Sequence, residues 1–468
     1  MTEFAYRTSP QIAGAAPYRL QASYLAQAIR LAREQPNVDM FVWFGFRDTR
    51  HGTWKSGLLD VTGRPKPSLA TFATAANCYR LVADPCVQAG GKLTIEGDGG
   101  PDTFGSGLAL SGDGTTAVVG APGANGNLGA AWVYTRSGSS WSRGAELLPA
   151  DETGAARAGA RVALSADGKT AVLGGPWDDG GVGAAWVFVR TAGGWTAEGP
   201  KLVAADPSGV RFFGAAVALS ADGSTALVGA HGDGVGAAYV FARSASGWLQ
   251  TAKLVANDES GAGRFGVSVA LSGDGGTALV GGWNDDGGPG AAWVFVRSPW
   301  GWLQQGPKLV PNDASGAAAF GDSAALSADG STALVGGEVD RGVAGAAWVF
   351  VRAHGAWVQQ GPKLTARGEN GTVYFGKSVA LSADGSTALI GASGDDAGAG
   401  AAWVFGRSGS TWAPEVGKLT GSGAAGAAAF GKAVALAADG DSALVGGPLD
   451  GQNVGAVWTF VSSPLAGR

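Results

Sequence analysis

The strongest constraint on this chain is a repeated Asp-Gly dipeptide. Directly after an alternating apolar run, it recurs in register seven times, and consecutive copies are about 52 to 55 residues apart. The seven aspartates are Asp113, Asp167, Asp222, Asp274, Asp329, Asp384 and Asp439. Asp-Gly between two alternating apolar runs is a strong signal for a β-hairpin. A period of this length is typical of propellers and solenoids, so the sequence predicts a repeat protein with seven units.

Each copy contains four segments with the two-residue period of β-strands. An alternating run such as SVALS precedes the hairpin, and TALVGG, AAWVFVR and GWLQQGPKLV or close variants follow it. In the third segment, Trp186 and Phe188 lie on one face and Val187 lies on the other. A strand that is apolar on both faces needs cover on both sides. The four-stranded antiparallel blades of a propeller cover one another in this way.

The ends of the repeat region distinguish a closed propeller from an open solenoid. The seventh copy stops after VWTFVSSPLAGR and lacks the GKL segment, whereas a spare GGKLTIEG begins at Gly90. This arrangement predicts that Lys92, Leu93 and Thr94 complete the last blade and leave no open sheet edge. A solenoid would instead need capping repeats. We therefore expect an all-β, seven-bladed propeller over residues 88–468, closed by an N-terminal strand.

The repeats resemble FG-GAP repeats, the unit of the integrin α-subunit propeller and of many bacterial extracellular proteins. FG opens most copies, and GAP stands at residues 120–122. In the second copy, Ala158 replaces the phenylalanine, and most copies have GG or GA without the proline. Calcium-binding members carry a D-x-D-x-D-G loop where this chain has SADGS or SGDGT. The resemblance therefore implies an extracellular propeller but no calcium binding at the hairpin, and we expect no cofactor.

Composition narrows the classes of partner. The formal net charge is −5 and charged residues make up only 15% of the chain, which argues against general nucleic-acid binding. No apolar run approaches the roughly 20 residues that span a bilayer, and the N-terminus MTEFAYRTSP lacks the basic and apolar regions of a signal peptide. Cys78 and Cys86, in a linker at residues 78–87, either form a local disulfide or remain two thiols. We expect a monomer that binds a protein or a glycan.

Strand order predicts that the two ends of the propeller carry different charges. One rim, formed by the loops between second and third strands and between blades, collects acidic residues. They are Asp178, Asp179, Asp206, Asp233, Asp258, Asp285, Asp286, Asp313, Asp340, Asp395, Asp396 and Asp450. The opposite rim is mixed, because the hairpin aspartates lie there with Arg136, Arg190, Arg243, Arg297, Arg352 and Arg407.

Two interpretations of the acidic rim remain open. Its paired carboxylates could bind a cation or a basic ligand, since hard cations take oxygen ligands. Alternatively, Asp and Gly are favoured turn residues that solvate a rim, and this interpretation is favoured. The candidates for a ligand face are Trp177, Asp178, Asp179, Trp283, Asp285, Asp286, Asp395 and Asp396.

Two sets of aromatic and histidine side chains are further candidates. One tryptophan opens each fourth strand, at Trp141, Trp195, Trp248, Trp302, Trp357 and Trp412. They could stack on sugar rings, but their strict recurrence favours packing. Binding sites usually break repeat symmetry, and the breaks are Trp177, Trp283, Trp300 and His231. The three histidines are far apart in sequence, so neither a metal-ligand spacing nor a Ser-His-Asp constellation is predicted.

Residues 1–77 have a different pattern. PYRLQASYLAQAIRLAREQ has helical periodicity, VDMFVWFGF reads as a buried strand, and KPSLATFATAA reads as a second helix. This order is typical of a βα-repeat with a parallel sheet. We therefore expect a short α/β fragment ahead of the propeller.

The fragment resembles the C-terminal end of retaining glycoside hydrolases with a (β/α)₈ barrel. The resemblance rests on TEF, WFGFRDT and WKSGLLDVTGRPKPSLATF, and it implies Glu3 as the nucleophile and Trp43 as a sugar-subsite aromatic. Retention needs a second carboxyl group about 5 Å away, and in this family it comes from a strand that would precede Met1. A typical barrel has about 250 residues, so we expect no glycosidase activity. We expect Met1 to be an internal start or a fragment edge within a longer secreted polypeptide.

Three functions follow from these patterns. The favoured one is a non-catalytic extracellular or cell-surface binding or scaffold propeller with a truncated glycosidase tail. The alternative is the C-terminal part of a secreted glycoside hydrolase, with the propeller as an accessory module. A calcium-dependent adhesion module is disfavoured, because the Asp-rich loops are missing.

Overall fold

The computed structural model describes residues 86–95, 100–205, 209–368, 371–414 and 417–462. They form seven four-stranded antiparallel sheets, which confirms the predicted all-β propeller. The expectations for Glu3, Trp43, Cys78 and the α/β fragment lie outside the described residues. The same holds for Asp206.

Each blade is numbered by the order of its first strand. The first strands are β2 (Gly107–Leu110), β6 (Arg161–Leu164), β10 (Ala216–Leu219), β14 (Ser268–Leu271), β18 (Ser323–Leu326), β22 (Phe375–Leu381) and β26 (Ala433–Leu436). The second strands are β3 (Thr116–Ala121), β7 (Thr170–Gly175), β11 (Thr225–Ala230), β15 (Thr277–Gly282), β19 (Thr332–Gly337), β23 (Thr387–Ala392) and β27 (Ser442–Gly447).

The outer half of each blade consists of the third and fourth strands. The third strands are β4 (Ala130–Ser137), β8 (Ala184–Thr191), β12 (Ala237–Ser244), β16 (Ala291–Ser298), β20 (Ala346–Ala353), β24 (Ala401–Ser408) and β28 (Ala456–Ser462). The fourth strands are β5 (Ser140–Leu147), β9 (Gly194–Ala197), β13 (Gly247–Leu254), β17 (Gly301–Gln304), β21 (Ala356–Gln359), β25 (Thr411–Pro414) and, in blade 7, β1 (Cys86–Gln88).

The ring is closed around its axis. First strands contact one another in the order β2, β6, β10, β14, β18, β22, β26 and again β2, so they surround the central channel. Seven backbone hydrogen bonds of 2.8 to 3.0 Å also link the Asp-Gly hairpins of neighbouring blades. They run through Gly112, Ala166, Ala221, Gly273, Ala328, Ala383 and Ala438, and the last of these donates back to Gly112. No blade is therefore left with a free inner edge.

The glycines of the two repeat motifs lie where neighbouring blades touch. A Cβ atom on Gly120 would lie 1.9 Å from the carbonyl oxygen of Gly159, and one on Gly446 would lie 2.1 Å from that of Gly105. Gly105 also has a φ of +91°, which favours glycine. Any larger residue would push the blades apart. The FG glycine of one blade thus packs against the glycine near the end of the second strand in the blade before it.

The closing strand begins earlier than the predicted segment. β1 pairs with β28 through Cys86, Val87 and Gln88, and the first two of these lie in the segment expected to be a linker. Leu93 forms only an isolated bridge with Val457. Leu309 forms the same kind of bridge with Ala292 in blade 4. The N-terminal segment therefore supplies the whole outer edge of blade 7.

The core lies between blades. The FG phenylalanines are buried, and Phe265 contacts Trp293 and Phe295 edge-on, with ring centroids 5.2 and 5.9 Å apart. All residues of the second strands are buried, since neighbouring blades cover them on both faces. This arrangement gives one hydrophobic cluster at each of the seven blade junctions.

Short turns of helix join second strands to third strands. They are α1 (Ala124–Asn127), α2 (Asp178–Gly181), α3 (Asp395–Gly398), α4 (Asp450–Asn453) and a 3₁₀ turn at Asp285–Gly287. No helix within the described ranges is both long and apolar enough to cross a membrane. Together with the connections between blades, these turns form one end of the propeller, here called the FG face. The Asp-Gly hairpins form the opposite end, the hairpin face.

Candidate functional site

The aspartates of the hairpin face are engaged within their own turns. Asp113 accepts a hydrogen bond of 2.6 Å from the Ser111 hydroxyl and one of 3.0 Å from the Thr115 backbone N–H. These bonds lower the pKa of Asp113 although burial opposes them. The same Ser–Asp arrangement recurs at Asp167, Asp222, Asp274, Asp329 and Asp384. These carboxylates stabilise the turns.

In blades 2 to 7, the first aspartate of the loop between second and third strands forms an ion pair with a lysine. Asp178 is 1% exposed, and it accepts a hydrogen bond of 2.6 Å from the Thr153 N–H and an ion pair of 2.7 Å from Lys201. Five further pairs repeat this contact, namely Lys253–Asp233, Lys308–Asp285, Lys363–Asp340, Lys418–Asp395 and Lys92–Asp450. These pairs are called the rim pairs below.

The rim pairs change the interpretation of the acidic rim. The predicted candidates Asp178, Asp285 and Asp395 are turned inward and neutralised within their own blades. The exposed Asp286 and Asp396 add a second carboxylate to Lys308 and Lys418. Within the described ranges, no group of three or more His, Cys, Asp and Glu side chains could hold a metal ion. The geometry favours the structural interpretation of these aspartates.

Blade 1 shows what replaces a rim pair. Ala124 stands at the position of the buried aspartate, and Glu146 stands at the position of the lysine. Here the side-chain amide of Asn125 lies 3.4 Å from the Glu146 carboxylate. Both charges of the pair are thus absent together, so no buried charge is left uncompensated.

The tryptophans that open the fourth strands lie half-buried between blades. The Trp357 indole donates to the Gln305 side chain of the preceding blade at 3.0 Å, and Trp412 donates to Gln360 at 3.1 Å. Arg352 lies over the Trp357 ring at 5.4 Å. This geometry supports the packing interpretation of these side chains.

On the FG face, the residue before each FG pair has a left-handed backbone. Thr103, Arg157, Phe212, Arg264, Ala319, Tyr374 and Ala429 have φ values from +53° to +62°. This conformation is uncommon outside glycine. Its recurrence at all seven positions, in five different residue types, shows that the fold imposes it. The side chain at this position is therefore free to vary from blade to blade.

Variation at this position builds an irregular surface across blades 2 to 4. Arg157 lies over the Trp177 ring at 5.7 Å, and Trp177 meets Phe212 edge-on at 5.2 Å. Phe212 stacks on His231 at 5.1 Å with an interplanar angle of 9°. In blade 4, Arg264 lies over Trp283 at 5.9 Å. The set Arg157, Trp177, Phe212, His231, Arg264 and Trp283 is called the aromatic–arginine ladder below.

The ladder is open to solvent and basic. Trp177 is 46% exposed, and Arg157 and Arg264 are exposed. Neither arginine forms an ion pair with a carboxylate of the described residues. Burial lowers the pKa of His231, and Arg264 and Arg161 lower it further, so this imidazole is neutral at neutral pH. The ladder thus offers ring faces and guanidinium groups to a ligand.

A second irregular group surrounds the channel on the same face. Lys377 forms ion pairs of 2.9 Å with Asp322 and 2.7 Å with Glu338. Arg161 and Lys432 interact electrostatically with this group. These five side chains are called the channel-entrance cluster below.

One open cavity lies beside blade 6. It has a volume of about 640 Å³, and Tyr374, Gly394, Asp396 and Gly398 are among the lining residues. Its size is within the range of ligand pockets. Asp396, a predicted candidate, is paired there with Lys418.

The recurring units match a known family model. The FG-GAP repeat model matches residues 195–241, 248–295 and 357–405. Each matched segment begins in a fourth strand and ends in the third strand of the next blade. These three segments of the chain are FG-GAP repeats. The geometry explains why, since the FG glycine and the glycine of the second strand are the contact between blades.

Solved structures similar to this FG-GAP propeller are distant. Hydrazine synthase from Kuenenia stuttgartiensis is 13% identical with a TM-score of 0.49, over 75% of this chain and 94% of that chain. A putative 6-phosphogluconolactonase from Bacteroides fragilis is 14% identical with a TM-score of 0.44, over 68% and 84%. A functionally unknown protein from Desulfotomaculum acetoxidans is 12% identical with a TM-score of 0.45, over 67% and 85%. No curated protein sequence matches the chain. At these TM-scores the likenesses carry no argument about function.

The FG-GAP propeller brings together three of the four predicted symmetry breaks. Trp177, His231 and Trp283 belong to the ladder, whereas Trp300 lies in a turn between third and fourth strands on the hairpin face and is 92% exposed. Sequence reasoning missed Arg157, Phe212 and Arg264, as well as the channel-entrance cluster. The sequence signal that could have identified them is the variation, from blade to blade, of the residues directly before and after the FG pair.

Proposed function

We propose that this chain is a non-catalytic binding protein of the extracellular space or cell surface, and that its ligand binds the aromatic–arginine ladder. The observation that carries the proposal is the ladder itself, an exposed basic and aromatic surface on one side of an otherwise repetitive face. Trp and Arg are enriched among residues that dominate binding energy. FG-GAP repeats are typical of extracellular proteins, which supports the location.

The ligand that fits the ladder best is an acidic polysaccharide. The ladder contains two groups of ring and guanidinium contacts, one from Arg157 to His231 and one between Arg264 and Trp283, with separations of 5.1 to 5.9 Å. Such spacing offers similar contacts to successive units of an extended polymer. Arginine binds carboxylate and sulfate groups through paired hydrogen bonds, while the indole and phenyl faces cover the apolar faces of sugar rings. A protein ligand is the competing outcome.

Affinity electrophoresis of the full chain tests this proposal. We expect alginate or hyaluronan to retard the wild-type protein and neutral dextran to leave its mobility unchanged. Trp177→Ala and Arg264→Gln should each weaken retardation by about tenfold, the effect of about 1.4 kcal/mol. Trp300→Ala is the matched control, because it removes an exposed indole from the hairpin face. Equal loss in the Trp300 variant, or no retardation by any acidic polysaccharide, would overturn the glycan assignment.

The non-catalytic assignment has its own test. Prolonged incubation of the full chain with the same polysaccharides should release no new reducing ends. Release of reducing ends that is lost in a Glu3→Gln variant would show that the chain is a hydrolase.

The second candidate function is an accessory module of a retaining glycoside hydrolase. Its support is the resemblance of residues 2–74 to the end of a (β/α)₈ barrel, carried by TEF and WKSGLLDVTGRPKPSLATF. Reading the DNA upstream of Met1 tests it. In-frame codons for six more βα units would establish the enzyme form, and a stop codon immediately before Met1 would exclude it.

A further inference from the structure

The channel-entrance cluster departs from the repeat in a specific way. The residue after the FG glycine is Ser106, Ala160, Ala215, Val267, Asp322, Lys377 and Lys432 in blades 1 to 7. Three consecutive blades thus carry a charge where the other four carry none. Glu338 follows the second strand of blade 5, and Arg161 opens the first strand of blade 2. The charges come from four blades and interact with one another electrostatically.

Part of the cluster is satisfied internally. Lys377 lies between two carboxylates, and the exposed fractions of Lys377, Asp322 and Glu338 are only 21%, 15% and 21%. Burial lowers the pKa of Lys377, but Asp322 and Glu338 outweigh burial and raise it. This lysine is therefore fully charged and already neutralised by its partners.

The other two cations of the cluster, Arg161 and Lys432, interact with Asp322 at longer range only. The Arg161 guanidinium donates to the carbonyl oxygen of Ala160 at 2.9 Å. Within the described ranges, neither Arg161 nor Lys432 forms an ion pair with a carboxylate. Burial lowers the pKa of Lys432, and Lys377 and Arg161 lower it further, which outweighs the opposite effect of Glu338 and Asp322. Three cations face two carboxylates, so the entrance has one surplus positive charge.

We propose that the channel entrance binds one carboxylate group, held between Arg161 and Lys432. A single negative charge neutralises the surplus and relieves the repulsion among Lys432, Lys377 and Arg161. The planar guanidinium suits two parallel hydrogen bonds to a carboxylate, and an ammonium adds a compact charge. A doubly charged anion would exceed the surplus and meet Asp322 and Glu338. The site does not depend on the polysaccharide binding proposed above.

Three classes of ligand share this carboxylate chemistry, and matched probes separate them. Sodium glucuronate represents an acidic sugar, with neutral glucose as its control. Sodium acetate represents a free small acid. A short peptide with a free C-terminus represents a chain end, with the C-terminal amide as its control. The full chain is titrated with each probe by calorimetry at low ionic strength.

We expect at least one carboxylate probe to bind while its neutral control does not. Lys432→Met and Arg161→Gln should each lower the affinity at least tenfold. Lys169→Met and Arg190→Gln remove the same charges from the hairpin face, and we expect them to change the affinity less than twofold. In the wild-type protein, ligand binding should also raise the pKa of Lys432, measured by NMR of ¹³C-methylated lysines.

Three results would overturn the proposal. In the first, every carboxylate probe fails to bind the correctly folded full chain, as judged by its circular dichroism. In the second, the hairpin-face variants lose as much affinity as the entrance variants, which would show an effect of net charge alone. In the third, inorganic phosphate binds more tightly than the carboxylates, which contradicts the match to one surplus charge.

Discussion

The rim pairs and the channel-entrance cluster both contain lysines and carboxylates on the FG face. They differ in whether each lysine has its own carboxylate. Each rim pair joins one lysine to a buried aspartate of its own blade, and the contact recurs in six blades. The channel-entrance cluster occurs once in the described ranges and draws on four blades, and in it Arg161 and Lys432 form no ion pair with a carboxylate. One group is neutral and repeated, whereas the other is charged and unique.

The difference shows how function can be separated from architecture in a repeat protein. A contact that must form in every blade is copied with the blade, as at Asp178 and Asp285. A ligand contact needs to form once, so it lies where copies differ. Lys377 and Lys432 occupy equivalent positions in blades 6 and 7, yet of the two only Lys377 forms ion pairs with carboxylates.

Among the variants discussed, breaking a rim pair should lower the free energy of unfolding the most. In Lys201→Met, Asp178 remains buried with only the Thr153 N–H as a partner. Removing one member of a buried ion pair costs about 3 to 5 kcal/mol, because it leaves an uncompensated charge. We expect the free energy of unfolding in urea to fall by that amount.

Two further variants sharpen this measurement. Lys169→Met removes a lysine from the exposed Lys169–Asp167 pair, whose atoms are 3.4 Å apart, and exposed pairs contribute about 0 to 1 kcal/mol. Asp178→Asn combined with Lys201→Met removes both charges, as blade 1 does with Ala124 and Glu146. The double variant should be more stable than Lys201→Met alone. A double variant less stable than the single would show that the pair is not a buried charge pair.

The fold could be predicted from the sequence because its signals are local. Asp-Gly turns and two-residue alternation identify each blade without knowledge of its neighbours. The start of the closing strand could not be predicted in the same way. Cys86 stands in β1 where other blades have tryptophan, and only Gln88 repeats their pattern. Gln88 accepts the Ser422 N–H as Gln304 accepts the Asn257 N–H, which is visible only after the ring has closed.

The site was predictable only in part, because it depends on pairing between distant residues. The acidic rim was predicted, but its lysine partners lie at least 20 residues away in the sequence. Lys308 lies 23 residues from Asp285, and Lys92 lies 358 residues from Asp450. Sequence also gives no reason to relate Lys377 to Glu338 in the preceding blade. Symmetry breaking was the useful signal, and it identified Trp177, His231 and Trp283 before the structure brought them together.

Removing one carboxylate from the channel entrance should lower the stability by an intermediate amount and raise the affinity for a carboxylate ligand. In Glu338→Gln, Lys377 retains Asp322, so we expect a loss of about 1 to 2 kcal/mol. The surplus positive charge rises from one to two, so the affinity of the best carboxylate probe should rise several-fold. Urea unfolding and calorimetry measure the two effects.

Glu198→Gln is the matched control for this change. Glu198 pairs with Arg243 at 2.5 Å and is 25% exposed, close to the 21% of Glu338. It should lose a similar amount of stability and leave carboxylate affinity unchanged. A rise in affinity in both variants would show that the effect comes from the net charge of the protein and not from the channel entrance.

The smallest expected effect is a difference in pKa between Lys377 and Lys432. It tests the comparison most directly, because the two lysines occupy equivalent positions in neighbouring blades. The pKa of Lys377 should lie above the ordinary 10.5, and that of Lys432 should lie below it. NMR of ¹³C-methylated lysines measures both, and Lys377→Met and Lys432→Met assign the signals. Rim lysines such as Lys308 should follow Lys377, since carboxylates raise its pKa against the effect of burial.

The two lysines should also contribute to stability with opposite signs. The raised pKa of Lys377 stabilises the fold fully below the pKa of the unfolded chain, and this contribution is lost as pH rises through the folded pKa. The lowered pKa of Lys432 destabilises the fold below its folded value, and this penalty disappears as pH rises to the unfolded value. Lys432→Met should therefore gain a few tenths of a kcal/mol at pH 7, after discounting for solvent screening, and gain nothing above about pH 11. A loss of stability at pH 7 would show that Lys432 already has a partner in the free protein, and the channel entrance would then resemble the rim.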